Sequence, residues 1–247
     1  MTRIGRAGGL ASRIEAELRR HADPARAEGA KRYLKSSLEF IGVPTTQFRR
    51  VLKDQLKAAP PLDRTTLLEL VSELWAHEVF ELRAATVELL DVKGALLLPD
   101  DIALVEKLIR ASRTWALVDT LAAHVAGSLV ERFPQLAETL DAWAEDGDLW
   151  VRRAAMLALL VPLRRGGGDF ERFVRYADAM LEEREFFIRK AIGWVLREVS
   201  KKRPALVAEW LGPRMQRASG VTLREALKYL PPDSRRPPRR PGKNGRG

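Results

Sequence analysis

Hydrophobic positions along this chain recur at i, i+3, i+4 and i+7 rather than at alternate residues, and the elements this spacing predicts are helices throughout. In EFFIRKAIGWVLREVSK (185–201), Ile188, Ala191, Ile192, Val195 and Val199 gather on one side of a helix. In RTWALVDTLAAHV (113–125), Leu117, Val118, Leu121 and Val125 form the apolar side, while Trp115 and Asp119 share the flank beside it. Four residues apart on a helix, those two side chains make one small surface. Asp23-Pro24, Pro99-Asp100-Asp101, Pro134 and Asp148 supply helix starts, and Gly42, Pro60-Pro61, Gly94, Gly166 to Gly168 and Gly212-Pro213 supply breaks. The pattern gives roughly a dozen helices of about 10 to 18 residues with short connections. No strand precedes the glycine triplet, so VPLRRGGGDF reads as a helix-to-helix connection and not a phosphate loop.

Three segments resemble one another: VFELRAATVELL at 79–90, LWVRRAAMLALL at 149–160 and FFIRKAIGWVLR at 186–197. In each, apolar residues are followed by a base and then small or aliphatic residues: Arg83-Ala84-Ala85, Arg153-Ala154-Ala155, Lys190-Ala191-Ile192. Their spacing implies a unit of about 35 residues with a missing member near position 118. A helix-pair repeat of that period predicts an all-α fold, an α-solenoid of HEAT-like pairs whose inner helices line a concave basic surface. Asp119 falls where the missing member belongs, an acid in a basic lining.

Charge adds a partner to this picture. The 247 residues carry a formal net charge of +10 and 46% hydrophobic content, enough for a substantial core and attractive to a polyanion. The balance is uneven, because PPDSRRPPRRPGKNGRG (231–247) sets six basic residues against Asp233 alone. Such a Pro/Arg/Gly segment cannot bury apolar surface, so residues 1–230 are expected to form one domain and 231–247 a disordered basic tail. There is no cysteine, which removes disulfides, thiolate metal sites and a thiol nucleophile. His21, His77 and His124 stand without metal-ligand spacing, so neither a metal nor a cofactor is expected. The N-terminal stretch has no apolar run of signal-peptide length and no segment approaches a membrane span, which predicts a cytoplasmic, nucleoid-associated protein without membrane contact; no obligate protein partner is expected, and a monomer is the default.

In the segment 185–201, Lys190, Trp194, Arg197 and Lys201 form a stripe opposite the apolar face. Cations flanking an indole suit a surface that holds phosphates and packs an aromatic ring against sugar or base. Trp75, Trp143 and Trp210 lie among aliphatic residues and read as packing residues; His77 and His124 read as surface residues.

FFIRKAIGWVLRE, TWALVD and YLKSSLEFIGVPTTQFRR (33–50) together resemble the bacterial DNA alkylation repair family, the HEAT-like-repeat alkylpurine DNA glycosylases, over roughly residues 10 to 230. The resemblance implies an enzyme that hydrolyses the N-glycosidic bond of cationic N3- and N7-alkylated purines in duplex DNA, without flipping the base. It implies an aspartate and two tryptophans in the active cleft, matching Asp119, Trp115 and Trp194. Tyr33 belongs near that cleft, Arg153 or its neighbour Arg152 grips the DNA backbone, and Lys190 and Arg197 are candidates for holding phosphates. Two positions depart from the family: Thr114 stands where a second tryptophan is common and Ala116 where an acid is common. The alternative is a non-catalytic DNA-binding paralogue that recognises branched or lesioned DNA. A protein-binding scaffold is the third reading, to be separated by its weak salt dependence.

Overall fold

The computed structural model describes residues 3–235, and the helical expectation holds across them: no strand forms, and the one β-bridge pairs Glu39 with Val79. The chain divides into two compact units, Met1–Leu129 and Val130–Gly247. The first unit contains α1 (Arg3–Arg20), α2 (Pro24–Leu34), α3 (Thr45–Ala58), α4 (Arg64–Ala76), α5 (Phe80–Val92), α6 (Ile102–Ser112) and α7 (Trp115–Thr120). A π-helical stretch, Leu121–Ala126, continues α7 into α8 (Gly127–Arg132), within which the division falls. The second unit contains α9 (Ala137–Ala144), α10 (Leu149–Ala158), α11 (Leu160–Arg164), α12 (Phe170–Ala179), α13 (Phe186–Ser200), α14 (Pro204–Leu211) and α15 (Gly220–Ala226). Of the tail expected from 231, Pro232–Arg235 form a 3-10 turn and positions 236–247 lie outside the described residues.

Capping follows the sequence closely. The Asp23 carboxylate accepts the backbone N–H of Arg26 at 3.0 Å and the Asp148 carboxylate that of Trp150 at 2.7 Å, each satisfying an orphan donor of a first turn. Pro99 and Pro134 open short 3-10 turns that lead into α6 and α9.

In the first unit, α1 packs on α3 and α4, α4 on α5, and α5 and α6 on the α7–π segment. Ile14, Leu18, Leu67, Leu70, Leu74, Leu82 and Leu90 are fully buried there. In the second, α13 lies against α10, α11, α14 and α15, with Ile188, Ala191, Ile192, Val195 and Val199 all in the core as their spacing predicts. The repeat of about 35 residues has a physical counterpart in side-chain bonds that span one period. In the first unit the Arg64 guanidinium donates to Asp101. In the second, Arg172 and Tyr176 donate to Asp141, Arg214 to Asp178, and Lys190 to Glu225. These pairs are 31 to 37 residues apart. Each ties a helix to the corresponding part of the next pair, so polar bonds reinforce the register that apolar stacking sets.

Candidate active site

Asp119 and Trp115 owe their position to the way α6 ends. Arg113 takes a left-handed conformation (φ 47°) at the end of α6, and Thr114 is extended. The chain therefore turns sharply and restarts as α7 with Trp115 as its first residue. Leu117, Val118, Leu121 and Val125 are buried, as the apolar side of the pattern requires, while Trp115 and Asp119 are half-buried on the flank. The departure from expectation comes immediately afterwards. RTWALVDTLAAHV is not one regular helix, because the backbone widens into a π turn at Leu121, two residues beyond Asp119. Ala122, Ala123, Ala126 and Gly127 are all buried, and their small side chains let the wider turn lie close against α5 and α6. Such turns concentrate at functional sites.

Tyr33 meets this surface from α2, a helix with no buried residue at all. Its ring stands edge-on to Trp115, with centroids 6.1 Å apart and planes at 88°, and Tyr33 is 74% exposed. An aromatic pair of this geometry is favourable, but leaving a tyrosine this open sacrifices burial. The first unit thus brings Tyr33, Trp115 and Asp119 onto one accessible patch. His124, in the π turn, is exposed and pairs with Asp91 at 3.2 Å.

In the second unit Trp194 is half-buried on α13, on the side away from the core, as the stripe predicts. Its flanking cations are already paired, however. Glu225 of α15 takes ion pairs from both Lys190 and Arg197. Lys201 pairs with Glu198 at 2.8 Å and lies 5.2 Å over the Tyr229 ring. For Lys190 and Arg197 the cause is the close approach of α15, allowed by Gly193: a Cβ there would fall 2.7 Å from the Glu225 Cβ and 2.8 Å from the Thr222 carbonyl oxygen. Burial on its own would raise the Glu225 carboxyl, but the Lys190 hydrogen bond and the nearby charges of Arg197, Lys190 and Lys228 hold it below the ordinary carboxylate range.

Arg152 and Arg153 also differ from their expected openness. Arg153 is 2% exposed; it donates to the Phe187 carbonyl at 2.6 Å and lies 5.9 Å over that residue's ring. Arg152 is half-buried, donating to the Asp146 and Gly147 carbonyls and to Glu183 at 3.0 Å. A guanidinium removed from water requires such acceptors. The repeated basic residues therefore also serve as ties: Arg83 to the His77 carbonyl, Arg153 to the start of α13, Lys190 to α15. One cluster escaped the sequence reading. Trp150 and Phe187 pack at 4.9 Å beside a 55% exposed Phe186. The signal that could have found it is the repeat itself, since Trp150 and Phe187 are one period apart. Trp143 and Trp210 are core residues as read, and Trp75 is half-buried beneath Arg83 at 5.2 Å.

The model of a family described as DNA alkylation repair enzyme matches residues 14–230, running through both units. Among curated proteins none matches the chain. A solved structure described as a predicted DNA alkylation repair enzyme from Enterococcus faecalis is similar with a TM-score of 0.74 and 23% identity, covering 85% of this chain and 97% of that one. AlkD2 from Streptococcus mutans is similar with a TM-score of 0.58 and 18% identity, over 82% and 98% of the two chains. At these identities the likeness is one of fold.

Proposed function

This chain belongs to the DNA alkylation repair enzyme family, and from that premise we propose that it is a DNA glycosylase excising cationic N3- and N7-alkylated purines from duplex DNA. The observation that carries the reading is the patch on the first unit: a carboxylate one helical turn from a tryptophan, with a second, exposed aromatic ring against that tryptophan.

Cleavage of a glycosidic bond builds positive charge on the sugar, and enzymes of this kind ordinarily use one acid for the leaving group and a second carboxylate for the cation or the water. An alkylated purine is already positive. When its bond to C1′ breaks, the electron pair passes to the purine nitrogen and the base departs neutral, so no proton need be given to it. What remains is to stabilise the deoxyribose cation and to orient a water that attacks C1′ and releases its proton, leaving an abasic sugar. One ionised aspartate suffices for both. Asp119 has that role here. Trp115 offers a π face, which attracts cations and packs on a sugar ring, and Tyr33 extends that face; Trp194, on the second unit, is proposed as a further aromatic contact to DNA. Because these groups address the sugar, the base need not be flipped. Lys190, Arg197 and Lys201, with the half-buried Arg152, are the proposed backbone contacts, while the buried Arg153, expected from the sequence to grip DNA, instead ties α10 to the start of α13; residues 1–230 work as one HEAT-like domain, soluble in the cytoplasm and acting as a monomer.

Release of N7-methylguanine and N3-methyladenine from alkylated duplex DNA, without added metal, tests the reading. Asp119→Asn is expected to cut release by about 100-fold or more while DNA affinity stays within about twofold of wild type. An Asn variant as fast as wild type removes the carboxylate from the mechanism. The second reading, DNA binding without excision, is favoured by Thr114 and Ala116, which replace a tryptophan and an acid common in the family. It gains the argument if neither protein releases a base and binding weakens steeply with salt.

A further inference from the structure

Beside the Tyr33–Trp115 patch, wholly within the first unit, lies a cavity of about 330 Å³. Three alanines from three helices open it: Ala30 of α2, Ala84 of α5 and Ala116 of α7. Phe40, Phe48 and Phe80 supply its aromatic wall, with Phe40 and Phe80 stacked at 4.7 Å and 12°. Glu81 also borders it, but both of its carboxylate oxygens are turned to backbone, accepting the N–H groups of Ile41, Gly42 and Val43. The walls are therefore apolar, and Arg26 and Thr45, both exposed, mark an open mouth.

Position gives the cavity its meaning. Ala116 follows Trp115 and precedes Asp119 by three residues, so Ala116 and Asp119 share one face of α7, one turn apart. On α2, Ala30 and Tyr33 are likewise three apart. The cavity's lining thus comes within one helical turn of Asp119 along α7 and of Tyr33 along α2. An apolar cavity of about 150 Å³ is enough to hold a benzene ring, so this one has room for a ring and its linking carbon.

We propose that this cavity is an aryl subsite, receiving an aromatic substituent carried on N7 of the damaged purine, with Ala116 and Ala84 determining the size admitted. The inference rests on the glycosylase reading and narrows its substrate class to adducts bearing a flat apolar group. Such a group is drawn in by the burial of its own surface and by the stacked phenylalanines.

The test compares release of N7-benzylguanine and N7-methylguanine from duplex DNA by wild type, Ala116→Leu and Ala84→Leu. Leucine at either position fills the cavity from a different wall, and Ala84 lies on a different helix, α5, from Trp115 and Asp119; because a disturbance of α7 slows release of both bases, the benzyl-to-methyl ratio reads the cavity alone. The ratio of benzyl to methyl release is expected to fall by about tenfold or more in each variant. A ratio unchanged in both variants overturns the subsite and leaves the glycosylase standing. Wild type that releases methylguanine but not benzylguanine does the same. If wild type releases neither base, the glycosylase reading falls and the subsite falls with it.

Discussion

At Thr114 a single hydroxyl separates what the sequence can say from what packing decides. The residue is 3% exposed, its Oγ1 has no hydrogen-bond partner among the described residues, and it makes no side-chain cap for α7 although it occupies the N-cap position. A buried hydroxyl left unsatisfied costs more than an apolar group of the same shape. Thr114→Val keeps that shape and removes the hydroxyl, so it is expected to stabilise the protein by up to about 1 kcal/mol, read as a rise in the chemical denaturation midpoint. A loss of similar size means that the hydroxyl has a partner in solution, a bound water or another group. Asp119 and Trp115, by contrast, were legible from spacing alone, because a four-residue interval beside an apolar stripe fixes a shared flank whatever the tertiary context. Tyr33 was not legible that way. It stands on a helix without one buried residue, so hydrophobic periodicity carries no information about its direction, and only the resemblance to a family pointed to it.

The same division appears among the elements. The 35-residue period and the core face of α13 could be read directly, since both depend on which residues are apolar. The partners of the opposite face could not, because they depend on how near the next helix comes. Gly193 lets α15 approach α13 until Glu225 captures Lys190 and Arg197. The π turn after Asp119 was hidden for a related reason: alanines and glycine permit a wider turn without demanding one. Glu225→Gln separates the two roles of the captured cations. It is expected to cost about 1–2 kcal/mol, discounted for the partial exposure of Lys190. Because the native carboxyl lies below its ordinary range, the unfolded chain binds the proton more readily. The stabilisation is therefore complete above the ordinary carboxylate pKa and is lost as pH falls through the lower native value. The variant should show a flatter stability profile on acidification. If Lys190 and Arg197 reach phosphates, freeing them should also steepen the log–log salt dependence of DNA binding by up to about 2. An unchanged slope with the same loss of stability makes them ties between helices and nothing more.

For the whole chain, the net charge of +10 is misleading unless its location is considered. Half of it sits in residues 231–247, where six basic residues face one acid. The remaining +5 is spread over 230 residues, and many of those cations are already engaged: Arg64, Arg152, Lys190, Arg197, Lys201 and Arg214 all hold carboxylates. Paired charges contribute little to the release of counterions from DNA until their partners let go, whereas the arginines of the tail outnumber the acids around them. Two quantities should therefore separate in a chain ended at Leu230. Affinity for undamaged duplex should drop, with the log–log salt slope reduced by up to about 5. Release of N7-methylguanine at saturating DNA should persist, because Tyr33, Trp115, Asp119 and Trp194 all remain. Loss of release at saturation would instead make the tail part of the catalytic domain, and an unchanged slope would move phosphate binding to the helices, where it must compete with Glu225 and Glu198 for the same cations.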